Sequence, residues 1–165
     1  MILTGAGIIA EQAQGNIAIS DFSLKRVNPN SYNYRLGYLL KVPRLLDGGE
    51  QLEFETIELP STGYVLQGGT MYLGHTLESI GSSKFAMSLI GRSSLGRLGL
   101  FLQVSANLGH TTSNHCWTLE LVASQAIRLY PGMPIGQVSF WLNQGSVRCH
   151  GKNLALFNDP HEIQR

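Results

Sequence analysis

The chain has 165 residues and a mass of 18.1 kDa, the size of a single domain. With 43% hydrophobic and 14% charged residues it is too apolar for a disordered segment, and carries less charge than a fully solvated surface usually does. Its net charge of +1 excludes a non-specific nucleic-acid binder. No apolar run approaches the roughly 20 residues that span a bilayer. Cys116 and Cys149, the two cysteines, cannot build a disulfide framework or a four-thiolate zinc site. The first basic residue is Lys25, so the apolar stretch at Ile8–Ala10 lacks the charged start of a secretory leader. The cytoplasm is the expected compartment.

The opening residues predict one short helix, with Thr4 as its cap, Ile8 and Ile9 on its apolar face and Gly15 as its stop. Period-two patterning follows. Tyr32, Tyr34 and Leu36 alternate with Asn33 and Arg35, and Leu52, Phe54 and Thr56 alternate with two glutamates. Further strands are predicted over Met71–Leu77, Lys84–Ile90, Leu100–Ser105, Cys116–Val122, Ala126–Tyr130 and Gln137–Leu142. Turns are expected at Asp47-Gly48-Gly49, Pro60–Gly63, Gly68-Gly69, Gly81-Ser82-Ser83 and Pro131-Gly132. Many short strands with almost no helical period predict an all-β sandwich or jelly roll in one domain, 1–165. Residues 151–165 lose the alternation and read as a C-terminal arm.

Charge is unevenly distributed. Residues 1–78 carry a net −3, whereas 79–158 hold six Lys or Arg against one acid, Glu120. That acid is either an isolated surface charge or the single carboxylate of an anion-binding site. The densest chemistry lies in Gly91-Arg92-Ser93-Ser94-Leu95-Gly96-Arg97-Leu98-Gly99. Arginine forks bind phosphate oxygens or polarise a carbonyl, serines add donors, and glycines let backbone N–H groups approach an anion. The competing reading is a Ser/Gly turn with surface arginines.

The string Arg92-Ser93-Ser94-Leu95-Gly96-Arg97-Leu98-Gly99-Leu100 closely resembles the signature of the dCTP deaminases, a branch of the trimeric dUTPase-like superfamily. Other matches follow in family order. They are Met1-Ile2-Leu3-Thr4, Ser31-Tyr32-Asn33-Tyr34-Arg35-Leu36-Gly37, Thr76-Leu77-Glu78, Cys116-Trp117-Thr118-Leu119-Glu120-Leu121 and the string from Tyr130 to Phe140. The resemblance implies a dUTPase-like distorted jelly roll, or β-clip, that assembles as a homotrimer with sites between subunits. It implies hydrolytic deamination of dCTP to dUTP and ammonia without zinc, magnesium travelling with the triphosphate. Glu120 would activate the water, with Ser93 and Arg97 beside the reacting base. Arg92, Ser94, Leu95 and Gly96 would help bind the triphosphate, and Ala106, His110, Thr118, Leu119 and Lys152 complete the implied substrate-binding set. No nucleic acid or membrane partner is implied. A glutamate near cations stays ionised and can accept a water proton, while a guanidinium and a hydroxyl can hold that water.

Zinc deaminases need His-x-Glu with Pro-Cys-x-x-Cys, and the sequence has neither. His110, His115 and Cys116 are close in sequence, but adjacent strand residues face opposite ways, so no metal site is expected there. The chain departs from the family pattern between signature and catalytic strand. Where deaminases usually show an aspartate followed by Pro-Gly-aromatic-x-Gly, it reads His110-Thr111-Thr112-Ser113-Asn114-His115. The family's arginine near that aspartate would fall on Leu108, and only Gly151-Lys152 resembles the family's phosphate-closing tail element. dUTPase activity is therefore not expected. Deamination of a modified cytosine nucleotide, or a noncatalytic nucleotide-binding trimer, stand as alternatives.

Overall fold

The computed structural model describes residues 1–45 and 52–148. The expected turn at 47–49, Cys149, Lys152 and the arm at 151–165 lie outside the described residues. Helix α1 (Gly5–Ala13) forms as its sequence predicts: Thr4 sits in extended backbone and its hydroxyl accepts the Gly7 N–H at 3.2 Å. Ile8 is buried, Ile9, expected on the same apolar face, lies exposed, and Gly15, at φ +76°, turns the chain out of the helix.

Among the described residues twelve strands follow: β1 (Ile17–Ile19), β2 (Tyr32–Arg35), β3 (Leu39–Leu45), β4 (Leu52–Glu58), β5 (Tyr64–Leu66), β6 (Thr70–Ser82), β7 (Phe85–Gly91), β8 (Leu100–Leu102), β9 (Leu108–Gly109), β10 (Asn114–Ala123), β11 (Ile127–Leu129) and β12 (Pro134–Leu142). A one-turn helix, α2 (Ser93–Gly96), lies between β7 and β8. One sheet runs β4-β3-β6-β10-β8, with β1 also on β6; the other runs β2-β12-β7-β9, and β5 pairs with β11. All named pairs are antiparallel. The all-β expectation holds. Alternation places Tyr32, Tyr34, Met87, Leu89, Val138 and Phe140 of one sheet in the same core as Leu40, Ile80, Leu119 and Leu121 of the other. Both sheets thus bury one face against a shared interior.

An ion pair built on a buried carboxylate also links the sheets. The Glu78 carboxylate on β6 accepts the Arg35 backbone N–H at 2.9 Å and the Arg35 Nε–H at 2.7 Å, with Arg26 Nε 3.9 Å away. Asp21 closes the outer end of the cluster by pairing with Arg35 and with Arg26. Bidentate and charge-assisted, this is the geometry that lets a carboxylate lie wholly buried.

Several elements differ from their sequence expectation. Strand β3 carries Pro43 in a run without alternation; it survives because it pairs with β4 along its whole length but with β6 only at Lys41. The three-residue β1 and β5 and the two-residue β9 are too short to show a period. The turn expected at Gly81-Ser82-Ser83 begins later, since β6 runs through Ser82 and Gly81 pairs on both edges, with Ala18 of β1 and Asn114 of β10. A Cβ on Gly81 would lie 2.4 Å from the Ser113 carbonyl oxygen, so this glycine serves a close backbone approach rather than a bend. The strand expected over Leu100–Ser105 stops at Leu102, because Gln103 takes a left-handed backbone, φ +52°.

Candidate active site

The signature is the crossover between the sheets. It leaves β7 at Gly91, winds one turn as α2 and enters β8 of the other sheet at Leu100. Leu95 anchors the turn in the core, leaving Ser93, Ser94 and Arg97 exposed and Arg92 half-buried. Gly99 is required at the exit: its φ is +86°, and a Cβ there would meet the Ser124 hydroxyl at 2.1 Å.

Opposite, β10 carries the acid. A bulge between Cys116 and Thr118 resets its register on β6, held by the Trp117 N–H donating to the Thr76 hydroxyl at 2.8 Å. Beyond the bulge, period two sends Leu119, Leu121 and Ala123 into the core. Thr118, Glu120 and Val122 take the other face. Glu120 and Val122 line a cavity of about 670 Å³ together with Arg92, Ser93 and Gly96 of the signature. Its remaining wall is largely apolar, from Met71, Leu100, Phe101, Leu102 and Val104, and Ser105 lies at the acid.

Four of the residues expected at the site therefore meet in one cavity: Glu120, Ser93, Arg92 and Gly96. Arg97 and Ser94 are not part of its wall. The Leu95 and Leu119 side chains belong to the core. Ala106 is exposed beside the cavity, where its carbonyl accepts the Gln103 Nε2–H at 3.0 Å. His110 lies elsewhere, in a second cavity of about 300 Å³ with Thr111, Asn143, Gln144, Ser146 and Arg148. The unanticipated neighbours are Gln103 and Ser105. Gln103 Oε1 accepts the Glu120 backbone N–H at 2.8 Å, and Ser105 Oγ lies 3.4 Å from Glu120 Oε2. Serine at 105 was legible only as the end of the strand expected over Leu100–Ser105; nothing local shows that the segment folds back onto the acid.

In the altered loop, Thr112 takes φ +74° and the Ser113 N–H closes a turn onto the His110 carbonyl at 3.2 Å. His115 packs at a tilt of 38° against Trp117 with ring centroids 4.1 Å apart, and burial holds its pKa below the usual imidazole value. The Cys116 thiol sits 3.9 Å from the Leu77 carbonyl oxygen, and burial, with the Glu78 charge, raises its pKa. Among the described residues, no three His, Cys, Asp or Glu side chains group closely enough to hold a metal ion.

Comparison with known proteins places this arrangement. The profile described as dCTP deaminase-like matches residues 2–143. The chain is 40% identical over 143 residues to a dCTP deaminase of Rhodopirellula baltica, covering 86% of this chain and 72% of that one. It is 41% identical over 166 residues to a protein of Clostridium botulinum strain Alaska E43 named dCTP deaminase, dUMP-forming, covering 99% and 94% respectively. Its fold is that of the 2′-deoxycytidine 5′-triphosphate deaminase of Agrobacterium tumefaciens, with a TM-score of 0.68 at 23% identity over 86% of this chain. This chain spans 48% of that longer one. The signature crossover, the acid-bearing strand and the matched length together make the chain a member of the dCTP deaminase-like family.

Proposed function

We infer that the protein deaminates dCTP hydrolytically. The observation that carries this reading is one cavity lined both by Glu120 and by Arg92, Ser93 and Gly96 of the signature, in a chain of this family. Glu120 accepts one proton from water, the water oxygen bonds to C4 of cytosine, that proton passes to the departing 4-amino group, and the second water proton ends on N3 as the C4 carbonyl forms. Ammonia leaves, and uracil remains on the same sugar and phosphates. Ser93 and Arg97 act beside the base, where a hydroxyl and a guanidinium hold the water and the charge that develops on the ring. Arg92, with the backbone of Ser94–Gly96, receives the triphosphate, and magnesium arrives as part of that substrate.

The working form in this reading is a homotrimer with sites shared between copies. Its support is the exposure of Arg97 outside its own chain's cavity, and of the large apolar residues Leu98, Phe101, Val104 and Leu108, each 48–67% exposed. Large apolar side chains left exposed fit an interface. Lys152, outside the described residues, completes the phosphate site in the same reading.

The deamination product is dUTP. A second product, dUMP, is favoured by the name "dUMP-forming" borne by relatives such as the Clostridium botulinum protein, and needs one further hydrolysis, of a phosphoanhydride bond. Incubating purified protein with dCTP, CTP and magnesium and resolving the products separates the readings. Uracil nucleotides support the deaminase, and dUTP against dUMP decides the second step. Cytosine nucleotide bound but unchanged overturns the catalytic reading in favour of a binding protein.

A further inference from the structure

We propose that Gln103 is the positioning residue of this site, clamping the turn that follows β8 onto Glu120 so that Ser105 can orient the carboxylate. The inference rests on the reading of Glu120 as the water-activating group. Its basis is a closed set of hydrogen bonds. The Gln103 backbone N–H donates to the Glu120 carbonyl at 3.2 Å, and the Glu120 N–H donates to Gln103 Oε1 at 2.8 Å. At the other end of the same carboxamide, Nε2–H donates to the Ala106 carbonyl at 3.0 Å. Both backbone groups of Glu120 are thus engaged by one residue, and that residue also fixes the turn carrying Ser105.

The backbone geometry says that this arrangement is held rather than relaxed. Gln103 is a non-glycine residue at φ +52°, a conformation that persists where surrounding contacts over-determine it. A primary carboxamide suits the place because it offers an acceptor and a donor at opposite edges. Glutamate keeps the acceptor and loses the donor. Methionine keeps the shape and loses both. The clamp sets Ser105 Oγ 3.4 Å from Glu120 Oε2, within reach to donate. A hydroxyl there occupies one carboxylate oxygen and leaves the other for the water, which fixes the direction from which the proton is taken.

Steady-state kinetics on Gln103→Met, Gln103→Glu and Ser105→Ala test the proposal, with Glu120→Gln as control. Gln103→Met should lower kcat by about 10–100-fold while KM stays within about threefold, the pattern of lost orientation rather than lost binding. Gln103→Glu should recover part of that loss, and Ser105→Ala should lower kcat by about 3–10-fold. A purely structural role would lower Tm and leave kcat per folded protein intact. The proposal is overturned by a kcat within twofold of the parent in Gln103→Met, or by no recovery in Gln103→Glu. Should Gln103→Met fail to fold, an unchanged kcat in Ser105→Ala overturns it instead. Turnover retained in Glu120→Gln defeats the underlying reading. An inactive Glu120→Gln beside a normal Gln103→Met defeats the clamp alone.

Discussion

At the scale of single residues, chemistry follows from which neighbours fix a side chain. Glu120→Gln keeps the shape of the acid but cannot accept the water proton, so turnover should fall by roughly 10²–10⁴-fold while nucleotide binding changes little; rapid-quench and equilibrium binding measurements separate the two. His110 presents a different contrast, since an aspartate accepts hydrogen bonds through two oxygens and a neutral imidazole through one nitrogen. If His110 meets the sugar, His110→Asp should strengthen dCTP binding by on the order of 1 kcal/mol and alter CTP binding by a different amount. Equal shifts for both nucleotides would show that the loop does not read the sugar. His75 is a buried residue whose charge state matters to stability. Nε2 accepts the Leu39 N–H at 3.2 Å and Nδ1 lies 2.9 Å from the Thr76 carbonyl, the pattern of a neutral ring with its proton on Nδ1. Burial pushes its pKa below the ordinary value, against a smaller upward pull from Thr76. The unfolded chain therefore takes up a proton near pH 6.5 that the folded chain refuses. The full contribution is present above about pH 6.5 and is lost as pH falls from there through the lower folded value. Urea midpoints at pH 7.5 and 5.5 should show this loss, and His75→Gln should flatten it. His115, shifted in the same direction, adds to the slope and remains in that variant.

At the scale of elements, sequence patterns were legible where one residue type has one job. The cap at Thr4, the stop at Gly15 and the alternation in β2, β7 and β12 all appear in the structure, whereas in β4 Thr56 lies exposed and Ile57 half-buried. Thr4→Ala removes the acceptor for the Gly7 N–H and should lower stability by about 1 kcal/mol, read as a shift in denaturation midpoint. Patterns failed where a tertiary partner decides. Pro43 speaks against β3, yet β4 accepts the strand; Gly81 suggests a turn, yet two neighbouring strands press against it. Nothing local to Leu100–Ser105 announces that Gln103 will turn left-handed and end β8 early. Arg35 and Glu78 illustrate a middle case. Their strings were legible as resemblance, and only the fold shows that a partly buried Arg35 meets the buried Glu78 carboxylate between sheets. Glu78→Gln leaves a partly buried guanidinium without its counter-charge and should destabilise the protein by about 3 kcal/mol, measured by chemical denaturation.

For the whole molecule, the sequence located the site better than it arranged it. The lone acid of the cationic half and the arginine signature do share a cavity, because strand alternation and the sheet crossover bring them there. Arg97 and His110 do not join that cavity within one chain. Spacing along a sequence carries no information about a neighbouring copy. The expected assembly is a homotrimer of roughly 54 kDa, and light scattering that found a stable monomer would sink the shared-site reading. The thirteen-residue β6 has a consequence of its own. It is flanked by β10 on one edge and by β1 and β3 on the other, and it carries Glu78 into the gap between sheets. To expose its amides, the protein must part three strand pairs and strip a buried charge of its partner in the same event. Its amide protons should exchange with deuterated solvent only through global opening, at a rate set by the stability of the entire domain, whereas those of the two-residue β9 should exchange through local fraying.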